Sequence, residues 1–282
     1  MVATRWHTMI VAGLLWPAAA LCADAPPRRV VSMNVCTDQL AMLVARPGQL
    51  HSVSYLAGDG ATSALAHEAR GYVVNHGLAE EIFLMKPDLV LAGTYTTRTT
   101  VSLLRRLGFR VEEFQPEQSF DDVRANIRRM GALLENPERA DDLLAGMDAE
   151  IAAIEMQDVA PLKTALYFAN SYTSGAGTLV SEVVALAGLT NIAGSLGMAG
   201  TARLPLELLI LSDPDLLAGD RSPRKTPALA EQNFAHPAYE ALAEARAQAP
   251  LESRLTVCGG PFTLEAARVL QRAALMLEGN PR

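Results

Sequence analysis

The side chains able to do chemistry in this 282-residue sequence are few, and their types favour binding over catalysis. No Gly-x-Ser-x-Gly elbow, phosphate loop or dinucleotide fingerprint occurs, and Ser174-Gly175-Ala176-Gly177 lacks the Lys and spacing of a phosphate cradle. The chain reads as a non-enzyme with no catalytic residue and no intrinsic cofactor. Capture of free zinc or manganese would need about three His and a carboxylate converging on the ion. His51, His67, His76 and His236 form no close pair, and His76 sits in an Asn75-His76-Gly77 turn, so no metal site is expected. Two acids are better placed: Glu80 and Glu207 each stand seven residues before a proline, Pro87 and Pro214. An acid at a helix start is ordinary, since it interacts well with the helix dipole. Two at equivalent places could also act as a matched pair of docking charges, which steer encounter and set register.

Binding groups gather after apolar runs. Asn34 and Cys36 follow RVVSM, Tyr95, Thr96 and Arg98 follow DLVLAG, and Tyr172 follows the run opening at Thr164. Arg221 follows DLLAG, Phe262 follows Cys258, Tyr55 follows QLHSVS, and Arg203 precedes the helix of Glu207. Tyr offers a flat apolar face with a polar tip and Arg a fork of donors, which suits a large, oxygen-rich ligand. The candidate ligand set is therefore Asn34, Tyr55, Tyr95, Thr96, Arg98, Tyr172, Arg203, Arg221 and Phe262. Each could instead be a rim aromatic or a solvated surface charge.

These groups need elements to hold them. Strands are expected at Arg29 to Met33, Gln49 to Ser54, Asp88 to Ala92 and Phe109 to Phe114, with helices through Ala45 (Thr37 as N-cap), over Glu80 to Met85 and over Thr99 to Leu107. Alternation of this kind implies parallel βαβ units. Ser119 to Leu134 and Pro137 to Met156 are helical in period, with Ser119 and Asp122 resembling a capping box and Leu143, Leu144, Met147, Ile151 and Ile154 on one face. Alternation resumes with a strand at Thr164 to Ala169, a helix at Leu179 to Leu186, strands at Asp215 to Ala218 and Leu255 to Val257, and a closing helix at Thr263 to Leu277. EEIFLMKPDLVLAG and ELLILSDPDLLAG repeat at an offset of 127 residues. The expected fold is α/β: a lobe over 28–118, linking helices over 119–160, a similar lobe over 161–282, and one long helix joining the two parallel sheets. Ligands bind beyond the carboxyl ends of such sheets, so two facing lobes make a cleft.

Arg5 followed by the short apolar run Met9 to Leu21 reads as a signal peptide over 1–23, with cleavage after Ala23, or nearby at Cys22 or Ala25. The expected location is periplasmic. Cleavage removes Arg5 and no acid, leaving 31 acidic side chains against 23 basic, which disfavours nucleic acid as a partner. Both Trp residues, Trp6 and Trp16, lie in the signal. Cys36 and Cys258 remain, and two cysteines in an oxidising compartment suggest one disulfide, the alternative being two buried thiols.

RVVSMNVCTDQL, KPDLVLAG, the central helix and LPLELLILSDPDLL together resemble the periplasmic binding proteins of iron–siderophore and cobalamin ABC importers. The resemblance runs from about Arg28 to Leu277 and is carried by the order of loose motifs. It implies two Rossmann-like lobes on one rigid helix, a monomer that captures a metal chelate, and delivery to a permease dimer with its ATPase. It also implies that Glu80 and Glu207 engage permease arginines, and it supports a Cys36–Cys258 bridge, which the cobalamin-binding member shares. That member lines its cleft with tryptophans, absent from this mature chain, so a ferric siderophore is the expected ligand, with a corrinoid or haem as the alternatives.

Overall fold

Uninterrupted apolar strands require a sheet covered on both faces, and the computed structural model builds two of them. It describes residues 25–220 and 228–279; the expected signal peptide and Arg221 lie outside the described residues. The first lobe runs β1 (Val30–Ser32), α1 (Val35–Val44), β2 (Leu50–Ser54), β3 (Val73–Asn75), α2 (Ala79–Met85), β4 (Leu89–Gly93), α3 (Arg98–Arg106) and β5 (Val111–Phe114). Its sheet is wholly parallel in the order β3-β2-β1-β4-β5.

Two helices follow, α4 (Phe120–Leu133) and α5 (Pro137–Glu155). The 19 residues of α5 span about 28 Å at the usual rise per residue. Its start is tied to the first lobe: Asn136 Nδ2 and Arg139 Nε donate to the carbonyls of Val44 and Leu43, which α1 leaves open at its end. Its far end is tied to the closing helix α10 (Thr263–Gly279), where Gln271 Nε2 donates to the Ile154 carbonyl at 3.0 Å and Arg268 pairs with Glu150. Ser119 caps α4 as expected, accepting from the Asp122 N–H, but Asp122 returns its bond to the N–H of Gln118, one residue before the cap.

The second lobe comprises β6 (Lys163–Leu166), β7 (Tyr172–Ser174), α6 (Leu179–Leu186), β8 (Thr190–Asn191), α7 (Ile192–Ser195), β9 (Thr201–Arg203), α8 (Leu206–Leu211), β10 (Leu216–Gly219), α9 (Pro237–Ala245), β11 (Ala247–Pro250) and α10 (Thr263–Gly279). Its parallel sheet has the order β11-β10-β6-β8, and β7 pairs with β9 as a separate antiparallel ribbon. Two expectations are corrected. Leu255 belongs to a 3-10 turn over Ser253–Leu255, and the last strand is β11, earlier in the chain. The N-cap of α1 is Asn34, whose extended backbone (φ −143°) lets Oδ1 accept from the Cys36 N–H; Thr37 lies inside the helix.

The repeat is real in space. Asp88 accepts from the backbone of Arg28 and Arg29, and Asp215 accepts from Lys163 N–H. Arg29 and Lys163 in turn donate to Met85 O and Ser212 O, closing the ends of α2 and α8. One apolar core runs through both lobes, from Val30, Leu89 and Leu91 past α4 and α5 to Leu166, Leu216 and α10. Smaller clusters fill the outer faces, Val31, Val90 and Ile82 in one lobe and Ala165, Leu217 and Leu209 in the other.

Under α1 lies a buried polar network. Asp38 Oδ2 accepts from the Ser54 N–H and hydroxyl, while its Oδ1 has no partner among the described residues. Burial raises its pKa from 3.8 to about 6, against the pull of its serine bonds. Between those values the folded chain holds a proton that the unfolded chain has lost, so this group makes the fold more stable as the pH falls, by about 1.4 kcal/mol from pH 8 to 5, with the full ~3 kcal/mol reached only below the unfolded value of 3.8. Asp38→Asn should flatten that rise in thermal unfolding followed from pH 8 to 5; an unchanged profile would rule Asp38 out as its source. The bridge makes a second prediction. Cys36 and Cys258 are bonded across 222 residues of chain, and the double Ser variant should lose about 2–5 kcal/mol in urea unfolding.

Candidate functional site

In each sheet the strand order reverses next to the opening strand, and such switch points are where open α/β sheets take ligands. In the first lobe the reversal falls between β1 and β4, in the second between β6 and β10. A cavity of about 230 Å³ lies at the first, walled by Asn34, Thr37, Gly93, Thr94 and Tyr95 and backed by Leu40 and Phe114. A second, of about 380 Å³, lies against the other lobe, walled by Phe168, Ser174, Thr178, Leu179 and Thr201. The two share Pro116, Glu117 and Val257. They are halves of one inter-lobe cleft with a common floor.

The floor is tightly held. Cys36, in the first turn of α1, is bonded to Cys258, just before α10, with Cα atoms 5.1 Å apart. This is the inter-lobe bridge, although Cys258 follows a 3-10 turn and not a strand. Beside it, Glu117 accepts from Asn126 Nδ2 at 2.6 Å through Oε1 and from the Gly259 N–H at 3.1 Å through Oε2. A Cβ at Gly259 would sit 2.5 Å from Val123 Cγ2, so only glycine allows this approach of the lobes. Glu182 of α6 adds a third tie, accepting from the Phe120 N–H at the start of α4.

Several expected residues meet here. Asn34 and Tyr95 wall the first cavity, and Thr96 holds the intervening turn by accepting from the Gly93 N–H. Tyr172 and Arg203 line neither cavity; they stand opposite each other on the β7–β9 ribbon, which supplies Ser174 and Thr201 to the second, with the guanidinium 5.6 Å from the ring centroid. Others lie apart. Tyr55 stacks on His76, whose Nδ1 is bound to Glu81, at the ends of β2 and β3. Arg98 opens α3 and lines a flank groove with Arg105 and Glu113. Phe262 is half-buried beside Gly260 at the head of α10. Glu80 and Glu207 are exposed in the first turns of α2 and α8, one per lobe. Sequence reasoning missed Glu117 and Val257. The one available signal was their position in segments that cross between lobes.

Among the described residues no helix is long and apolar enough to cross a membrane, and no group of three His, Cys, Asp or Glu could hold a metal ion. The chain is 27% identical over 203 residues to a cobalamin-binding protein of Halobacterium salinarum, a match covering 70% of this chain and 55% of that one. It therefore spans about half the length of that relative. It is 27% identical over 195 residues to a vitamin B12-binding protein of Pectobacterium carotovorum, covering 65% of this chain and 69% of the other. In structure it resembles the apo periplasmic haem-binding protein RhuT of Roseiflexus sp. RS-1, with a TM-score of 0.69 at 22% identity over 88% of this chain and 99% of that one, a likeness of fold. The pattern of the periplasmic binding protein family matches residues 67–248, most of the chain, and the chain belongs to that family.

Proposed function

We propose that this chain is the capture subunit of an ABC importer, holding a metal chelate between its lobes and delivering it to a permease dimer with its ATPase. The observation that carries the reading is the pair of cavities, one against each lobe, meeting on the shared floor at Glu117 and Val257. A ligand that spans both touches the two lobes at once, so parting them weakens its hold, and a docked partner can drive that parting. Capture and release need no chemical step, and the reading assigns none.

The names of the relatives favour a corrinoid, and the bridge between Cys36 and Cys258 agrees with the resemblance to the cobalamin-binding member. A ferric siderophore is the second reading. It is favoured by the Tyr172–Arg203 pair, which offers a flat face and a fork of donors to an oxygen-rich chelate. Haem is the third, supported by the likeness of fold.

Docking is assigned to Glu80 and Glu207. Both are exposed, and both stand at the start of helices that the repeat makes equivalent. The chain reaches α2 from the carboxyl end of β3, so Glu80 lies toward the cleft rim, where a partner would meet the ligand.

Two measurements check this. Titration of the chain lacking residues 1–23 with aquocobalamin, ferric hydroxamates, ferric catecholates, ferric citrate and haemin should give saturable quenching with one chelate class, with a dissociation constant of about 1 μM or tighter. Tyrosine carries that signal, since both tryptophans lie in the removed segment. Saturable binding of bare zinc with no chelate bound would end the reading. Glu80→Lys combined with Glu207→Lys should cut uptake by cells about tenfold or more, with chelate affinity kept within about twofold. Lost chelate affinity in that variant would count against docking.

A further inference from the structure

Helices α2 and α8 carry more than an acid each. At matching positions of the repeat, Leu84 and Leu211 are 77% and 78% exposed. Each follows a second apolar residue left partly open, Phe83 or Ile210, while Ile82 and Leu209 point into the cores and are fully buried. Phe83 leans on Phe109 edge-on, so its outer face is held in place. One exposed leucine on a surface is ordinary. The same exposure at the same place in both lobes is a separate observation, because other surface positions of these helices have diverged: Glu81 corresponds to Leu208, and Lys86 to Asp213. The frames agree as well. Both helices stop at a left-handed residue, Lys86 at φ 50° and Asp213 at φ 46°, and both ends are clasped by a basic side chain at the start of the lobe's first strand, Arg29 just before β1 or Lys163 opening β6. The two apolar pairs are thus presented in the same way beside the two acids.

We infer that Phe83 with Leu84, and Ile210 with Leu211, are apolar anchors that seat on the permease dimer next to Glu80 and Glu207. This rests on the docking reading above and adds to it: the anchors supply the affinity, while the acids steer the approach. Charge selects among possible occupants. A second copy of the chain, pairing α2 against α8 about a two-fold axis, would set acid against acid in a protein of net charge −7. An anionic lipid surface would be repelled in the same way. A basic protein with two equivalent recesses satisfies both the acids and the apolar pairs at once.

Photo-crosslinking residues placed at 84 and at 211, in cells making the full chain, should capture one integral-membrane polypeptide from both sites, identified by mass spectrometry as a permease subunit. Leu84→Ser combined with Leu211→Ser should lower uptake about tenfold or more. Tyrosine quenching by the bound chelate and the unfolding temperature should stay those of the parent, because both side chains are exposed. Adducts with a second copy of the chain, or with different proteins at the two sites, would overturn the inference. So would normal uptake by the serine pair in cells where the Glu80→Lys/Glu207→Lys pair fails, a result that leaves docking through the acids standing. If neither pair alters uptake, the docking reading falls along with the anchors.

Discussion

The covalent link between Cys36 and Cys258 closes over the place where the chain passes between its sheets, and the geometry of the cleft depends on that closure. Asn34, which caps α1 and walls the first cavity, is two residues from the bridge. Val257, on the shared floor, adjoins it directly. Glu117 and Glu182 then bond across the same seam, and one apolar core continues from the first sheet to the second behind it. A cleft held this way has little to order when a ligand arrives, so more of the contact energy appears as affinity. The same ties limit how far the lobes swing.

Burial of Asp38 shows what this arrangement costs. Its carboxyl lies under the helix that carries both Asn34 and Cys36, bonded to Ser54 at the end of β2, while Asn75 at the end of β3 donates to Ser32 O and Ser52 Oγ. These groups replace apolar packing at the carboxyl edge of the sheet. In a low-dielectric interior such a network specifies geometry more than it stabilises. Here it holds α1, and with it the wall of the first cavity, at a set height above the strands.

What was legible in the sequence follows from how each element is stabilised. β1 and β4 were found because their runs are apolar and buried on both faces. β3 was missed because it is three residues at a sheet edge with Val73 and Val74 exposed, and β7 and β9 because they are short, partly polar and pair across an intervening lobe segment. Leu255 to Val257 looked like a strand by composition, yet the true edge strand, Ala247–Pro250, is weakly apolar and ends in a proline that only an edge tolerates. Asn34 and Thr37 were both good caps by type; the extended backbone at Asn34 decides between them. For the candidate site, the rule that ligands gather after parallel strands pointed to Asn34 and Tyr95, which wall the first cavity. It could not find Glu117, whose role comes from contact with Gly259, 142 residues away. It also could not separate Arg98, on the flank groove, from residues facing the cleft, because the direction of a first-turn side chain depends on the helix's rotation.

The internal repeat is unevenly kept, and the unevenness has a physical reading. The helices α2 and α8, their terminal left-handed residues and the clasps from Asp88 and Asp215 agree between lobes. The loops at the switch points do not: Asn34-Val35-Cys36-Thr37 caps a ten-residue helix in one lobe, whereas Phe168-Ala169-Asn170-Ser171 makes a tight turn in the other, with Asn170 and Ser171 both at positive φ. A ligand without two-fold symmetry gains nothing from identical walls, so those loops are free to diverge toward its two different faces. A partner built from two equal subunits gains from identical contacts on both lobes. Divergence at the cleft together with agreement on the outer helices is the pattern that a chain serving both would keep.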